Sequence, residues 1–259
     1  EGDEQLTLTL SNPMGNANLG SVNVATLTIV DNDSQVRFSV DAANVNEAGT
    51  SVVLNVIRTG ATNRAVDVDY ATVNATAFAG ADFVAQNNSL AFAAGETNKT
   101  ITIVILNDTE IEPNETFSVS LAVPAGPAPE LSLAAPATIT VTIIENDFLT
   151  IVAAGLSVVA ESIAPNNGRV DPGETVTAGF GLHNIGNVDS PSVFATLTTG
   201  GGVTVAAPQT VEYGPLPNLT GGGAPVTNNF TFTAGGGPNI TATLALEDRS
   251  GITPVSLGM

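Results

Sequence analysis

Four acid-rich segments carry most of the chemistry available to this chain. Glu47 lies in Val45-Asn46-Glu47-Ala48-Gly49-Thr50, and Asp82 lies in Ala79-Gly80-Ala81-Asp82-Phe83. Asp108, Glu110, Glu112 and Glu115 share the single turn that runs from Asn107 to Glu115. Glu145 and Asp147 flank Asn146 after a strand-like run. Like charges crowded into a turn repel one another unless water or a cation screens them. Calcium takes about six to eight oxygen ligands in flexible geometry, so it suits such loops.

Other chemistries are poorly served. His183 is the only histidine, sits beside Asn184 on a strand-like run, and has no nucleophile-elbow motif to serve, so a structural role is expected. Carboxylate pairs abound, but glycoside hydrolysis needs a cleft with stacking surface, and aromatic residues make up only 5%. Glycine triplets at 200–202, 221–223 and 235–237 are not followed by Lys-Ser or Lys-Thr, so a phosphate-cradling loop has no support. With no cysteine, disulfide frameworks and Cys-based zinc sites are excluded. A non-enzymatic protein is expected.

The elements that must hold these acids are strands. Val36, Phe38 and Val40 alternate with polar residues, as do Val52, Leu54 and Val56, and Val66, Val68 and Tyr70. Ile101, Ile103 and Ile105, then Phe117, Val119 and Leu121, then Ile139, Val141 and Ile143 continue the period of two. Short alternating runs bounded by turn residues predict half-buried strands, about seven between Ser34 and Asp147, as a β-sandwich requires. Alternation continues after Phe148, through Val176, Phe180 and Leu182, Val193, Ala195 and Leu197, Phe230 and Phe232, and Leu244 and Leu246. The expected fold class is all-β, with tandem immunoglobulin-like β-sandwiches.

The chain also repeats itself. Glu1 to Leu10 parallels Glu112 to Leu121 at an offset of 111 residues, and Leu27 to Asp33 parallels Val141 to Asp147 at an offset of 114. A period of that length means tandem domains. Three segments are therefore expected: residues 1–33 as the C-terminal end of a truncated repeat, 34–147 as a complete domain, and 148–259 as a different sandwich. On this reading the chain is a fragment of a longer protein.

Composition sets the partners. The 259 residues include Lys+Arg 6 against Asp+Glu 25, a net charge of -19. Nucleic acid is a poor partner, because phosphate binding needs clustered basic residues. Hydrophobic residues at 43% support packed cores. No apolar run approaches a membrane span, and no signal-peptide pattern is present. The absence of cysteine, with one lysine and much Thr, Asn, Ala and Gly, fits an exported bacterial protein.

Residues 34–147 resemble a Calx-β domain, the module of sodium–calcium exchangers, integrin β4 and many bacterial surface proteins. The carrying residues are Val45 to Thr50, Thr76 to Phe83, Leu90 to Glu96, the turn from Asn107 to Phe117, and Glu145-Asn146-Asp147. The resemblance implies Ca²⁺ as the bound cofactor and ligand roles for Glu47, Asp82, Asp108, Glu112, Glu115, Glu145 and Asp147. Asn107 and Asn146 stand where more acids are common, so one or two ions are expected. In the truncated copy, Glu1, Glu4, Asp31 and Asp33 match part of the same set. Residues 148–259 resemble bacterial extracellular adhesion-related sandwich modules, through Asn166 to Glu174 and Leu182 to Asn187. There Asp171 and Glu174 are read as a turn and a strand start.

The implied function is a calcium-binding, extracellular or cell-surface module acting in adhesion, cell communication and spacing. Its partners would be calcium ions, neighbouring domains and a cell-surface protein or glycan, in a membrane-associated setting. The alternatives are a metal-free spacer and a carbohydrate-binding accessory domain in residues 148–259.

Overall fold

The computed structural model describes residues 2–126, 131–218, 222–236 and 240–248, without the side chain of Asp248. Every regular element among them is a strand. The chain divides into two compact units, Glu1–Asp108 with Glu112–Asn146, and Thr109–Ile111 with Asp147–Met259.

The first unit opens with a hairpin of β1 (Glu4–Thr9) and β2 (Val24–Ile29) that forms its own two-stranded sheet. Nine strands follow: β3 (Ser34–Phe38), β4 (Ala42–Asn46), β5 (Ser51–Gly60), β6 (Val66–Asn74), β7 (Asn87–Phe92), β8 (Asn98–Val104), β9 (Glu115–Ala122), β10 (Leu131–Leu133) and β11 (Thr138–Ile144). They make two sheets, β10-β3-β5-β8 and β4-β11-β9-β6-β7. Period-two side chains from both inner faces fill the space between them. Val36, Phe38, Leu54, Val56, Ile101, Ile103, Phe117, Val119, Ile139 and Val141 are all buried. Phe83 stacks on Phe117 with ring centroids 4.1 Å apart.

Three of these strands, β4, β7 and β10, lie outside the alternation read from sequence. β10 has only three residues, too few to display a period. β4 is polar and half-exposed because it lies at the edge of its sheet. Val40 corrects the reading of the first run: β3 ends at Phe38, and Val40 is 50% exposed. The chain leaves one sheet there to enter the other as β4.

Arg58 is a second departure. It continues the inward series Val52, Leu54, Val56 on β5 and is only 2% exposed. Its Nη2 donates to Ser34 Oγ at 2.9 Å and to the Ala61 carbonyl at 2.8 Å. Ala61 N in turn donates to the Asp33 carbonyl at 2.8 Å. Gly60 permits this approach, since its φ is +80° and a Cβ would lie 2.4 Å from the Asp33 oxygen. The buried guanidinium thus ties the start of β3 to the end of β5.

The second unit holds β12 (Ile151–Glu161), β13 (Thr175–Asn184), β14 (Ser192–Thr198), β15 (Val203–Thr204), β16 (Gln209–Pro215), β17 (Val226–Ala234) and β18 (Thr243–Asp248). Its sheets run β12-β13-β17-β15 and β16-β14-β18 over a separate core that includes Val176, Leu182, Ala195, Phe230 and Leu246. β12 was not legible as an alternating strand. It bulges between Ala153 and Leu156, which breaks the period, and a Cβ on Gly181 would lie 2.7 Å from the Ala154 carbonyl beside that bulge.

Phe117 is buried in the core of the first unit and stacks on Phe83 at the end that carries the acids. Phe117→Ala should destabilise this unit by about 3–5 kcal/mol, read as a lowered urea midpoint at unchanged m-value. An unchanged midpoint would remove the ring from the set of core contacts.

Candidate metal centre

The acids converge because of strand pairing. β11 runs parallel to β4, with Ile144 opposite Asn46, and antiparallel to β9, with Ile143 opposite Glu115. The segments that follow β4 and β11 and the one that precedes β9 therefore emerge at one end of the sandwich. Glu47 N donates to the Ile144 carbonyl at 2.9 Å, which holds the opening loop against the closing strand. Ala48 N donates to Asn146 Oδ1 at 2.7 Å and to Asn46 Oδ1 at 3.0 Å.

Asp82 comes from a different route. The turn around it is closed by Asp82 N to the Phe78 carbonyl at 3.0 Å and by Phe78 N to Asp82 Oδ2 at 2.6 Å. Gly80 takes a φ of +92° within it. The neighbouring Phe83 is fully buried against Phe117, and Leu106 N donates to the Asp82 carbonyl at 2.9 Å. Apolar packing one residue away thus sets the position of the carboxylate.

Carboxylate oxygens of Asp82, Glu112 and Glu115 all lie within 4.8 Å of one another. Glu47 and Glu145 bring theirs within the same distance of each other. Asp82, Glu112, Glu115, Glu47 and Glu145, with Pro113 and Ile143, line one small cleft of about 10 Å³. That volume suits a single water or bare ion. Glu47 is only 7% exposed, and the other four are partly buried. Backbone amides brace the set: Asp108 N donates to Glu47 Oε1 at 3.0 Å, and Glu112 N donates to Glu145 Oε2 at 2.9 Å.

The crowding shifts a proton equilibrium. Glu115 is pushed up to about 7, first by burial, then by its hydrogen bond with Asp82, and then by the charges of Asp82, Glu112 and Glu145. The site retains a proton where an ordinary glutamate would have lost it. A divalent cation supplies the missing positive charge more fully, and an all-oxygen donor set suits hard ions such as Ca²⁺.

The remaining expected residues sit as follows. Asp108 reaches the cluster through its backbone amide to Glu47. Asp147 belongs to the second unit, is 7% exposed, and accepts from Asn187 Nδ2 at 2.9 Å. Asn146, read in the sequence as standing where an acid is common, and Asn114 and Thr76, to which the sequence assigned no role, each brace the site. Asn114 Oδ1 accepts from Glu145 N at 3.0 Å, and Thr76 Oγ1 accepts from Thr116 N at 2.7 Å. The signal in the sequence was membership of the acidic turn for Asn114 and of the Thr76 to Phe83 motif for Thr76.

In the second unit, Glu174 is 1% exposed and accepts from Ile163 N and Asp171 N, both at 3.2 Å. Its carboxylate closes the 161–174 loop. His183 Nε2 lies 3.0 Å from the Gly223 carbonyl, on a strand rather than in an acid cluster.

The Calx-beta domain profile matches residues 1–33 and 31–147, more than half of the chain. The chain belongs to the Calx-beta family. Among similar proteins, rat sodium/calcium exchanger 1 is 34% identical over 109 residues, covering 41% of this chain and 11% of the exchanger. Human sodium/calcium exchanger 3 is 36% identical over 115 residues, covering 43% and 12%. Zebrafish adhesion G-protein coupled receptor V1 is 35% identical over 131 residues, covering 51% of this chain and 2% of the receptor. The chain thus spans about a tenth or less of the length of these relatives. A crystal structure of the apo-form Calx CBD1 domain superposes on 44% of the chain and 99% of that domain, at 29% identity and a TM-score of 0.42.

Burial of Glu115 in this Calx-beta domain makes a pH prediction for metal-free protein. Its folded pKa, about 7, exceeds the ordinary value of 4.5, so the folded state holds more protons between those values. Stability therefore falls as pH rises from about 4.5 through 7. Relative to Glu115→Gln, the wild type should lose melting temperature across that window and hold steady above it. Parallel curves for the two proteins would place the proton elsewhere.

Proposed function

We propose that residues 34–147 form a Ca²⁺-binding Calx-beta domain whose ion is held by Asp82, Glu112, Glu115, Glu47 and Glu145. The observation that carries this reading is the approach of the carboxylates of Asp82, Glu112 and Glu115 to within 4.8 Å in a cleft that Glu47 and Glu145 also line. Asp108 and Asp147 stay in the proposed set by resemblance, each next to a segment that supplies one of the five. Asn146 supports a small number of ions, because its side chain is engaged with Ala48 N.

The domain would act as a binding and spacing module rather than an enzyme. Bound calcium would replace the proton on Glu115, neutralise the end of the sandwich and stiffen the loops after β4 and β11. Composition supports a place in a modular extracellular bacterial protein with an adhesive role: no cysteine, a single lysine and a net charge of -19. The similar proteins are animal sodium/calcium exchangers and an adhesion G-protein coupled receptor, so the shared feature is the module and not its setting.

Calcium at about 100 times its Kd should stabilise the first unit by about 2.7 kcal/mol, seen as a raised melting temperature that chelator reverses. Glu112→Ala or Glu47→Ala should remove most of that gain. Glu96→Ala, which loses the surface pair with Lys99 at 2.8 Å and the bond from Ala93 N at 2.7 Å, both outside the acid cluster, should keep it. Glu130→Ala should also keep it, although Glu130 lies outside the described residues. Equal melting temperatures with and without calcium would leave the metal-free spacer as the surviving reading. Calorimetry in buffers of different ionisation enthalpy should also record release of a proton on binding near pH 6, as a ligand that must deprotonate requires.

A further inference from the structure

The two margins of the second sandwich differ. Between β16 and β17 the side-chain amide of Gln209 bridges the sheets. Its Nε2 donates to the Thr231 carbonyl at 2.6 Å, and its Oε1 accepts from Thr231 N at 2.8 Å. Asn228 Nδ2 adds a bond to the Glu212 carbonyl at 3.2 Å. At the other margin, β12 and β18 are the outer strands of their sheets among the described residues. A cavity of about 390 Å³ lies there, walled by Leu156, Phe180, Leu182 and Leu244.

Sandwich interiors are close-packed, with few voids larger than a water molecule. Small residues hollow out this one. Phe180 stands on the inward row of β13 with Val176, Ala178 and Leu182, yet it is only half-buried while they are fully buried. Its ring meets Phe230 edge-on, 5.6 Å away at 86°. Ala153 and Ala242 line the gap where longer side chains would fill it. Gly155 has a φ of +119°, which favours glycine, and open space where a Cβ would stand. Ala154 and Gly155 also drop out of register with β13, so the bulge brings backbone polar groups to the rim. No charged side chain lines the cavity among the described residues.

We propose that this cavity binds one neutral aromatic small molecule. Its volume falls in the range of small-ligand sites, which join apolar walls to a few polar groups. The walls favour a ligand that buries carbon surface, and Phe180 offers a ring for aromatic contact. The peptide groups of the bulge suit a single hydroxyl, amine or carbonyl on that ligand. Anionic amphiphiles are selected against, because no cation lines the cavity and the chain carries a net charge of -19. A glycan is poorly served, since its hydroxyls would be buried without partners. This inference is independent of metal binding.

The test uses the full chain and the neutral probe phenylnaphthylamine. Its fluorescence should rise saturably, at one site per chain, and equally in calcium and in chelator. Anilinonaphthalenesulfonate, which adds a sulfonate to the same skeleton, should bind about 10-fold more weakly or worse. Leu156 is 68% exposed at the mouth, so Leu156→Asp should keep the urea midpoint and weaken the neutral probe by about 10-fold or more. Ala242→Phe, which fills the cavity, should weaken it likewise. Val159→Asp, at a 55% exposed residue of the same strand outside the lining, should bind as wild type does. Equal binding by wild type, Leu156→Asp and Ala242→Phe would overturn the proposal. So would a non-saturable signal, or a sulfonated probe that binds as tightly as the neutral one.

Discussion

The parallel pairing of β11 with β4 is the contact on which the acid cluster depends. It places the residue after β4 and the residues after β11 side by side, although nearly the whole domain separates them along the chain. The amide of Glu47 on the carbonyl of Ile144 and the amide of Ala48 on Asn146 secure that junction with two hydrogen bonds. Without it, Glu47 and Glu145 would occupy unrelated loops, and Glu112, whose amide rests on Glu145, would lose its brace. An antiparallel pair would set the end of β4 beside the start of its neighbour, whereas the parallel pair brings both C-terminal ends to the same side.

Hydrophobic packing and charge oppose each other at this end of the sandwich. Phe83 and Phe117 stack in the core, and the chain geometry then forces Asp82 and Glu115 close together a residue or two away. Their repulsion is tolerated because burial of the rings outweighs it, and the residual strain is relieved by a proton on Glu115. Carboxylates held in place by core side chains are preorganised: they stand together before any cation arrives. The loop of Glu174 in the second unit shows a different solution, in which a buried carboxylate is satisfied by two backbone amides.

The two copies of the terminal hairpin make the same point about context. β1–β2 and β9–β11 share alternation, register and flanking acids, but only the second meets a facing sheet. Local sequence produces the hairpin in both. Burial, and with it the approach of the acids, needs the strands contributed by the rest of the domain.

Period-two alternation by itself determined that the chain is all-β, and it located β5, β6, β8, β9 and β11 together with most of their inward residues. The acidic turns likewise marked which residues could meet a cation, because turn composition and charge are local properties. Tertiary structure alone decided the rest. Edge strands such as β4 and the three-residue β10 carry too little burial to leave a pattern, and a bulge erased the period of β12. The inward Arg58, the supporting roles of Asn114, Asn146 and Thr76, and the grouping of Asp82 with Glu112 and Glu115 were decided there too. Each depends on contacts between residues remote in the chain, and spacing along a strand holds no information about which strand will lie beside it.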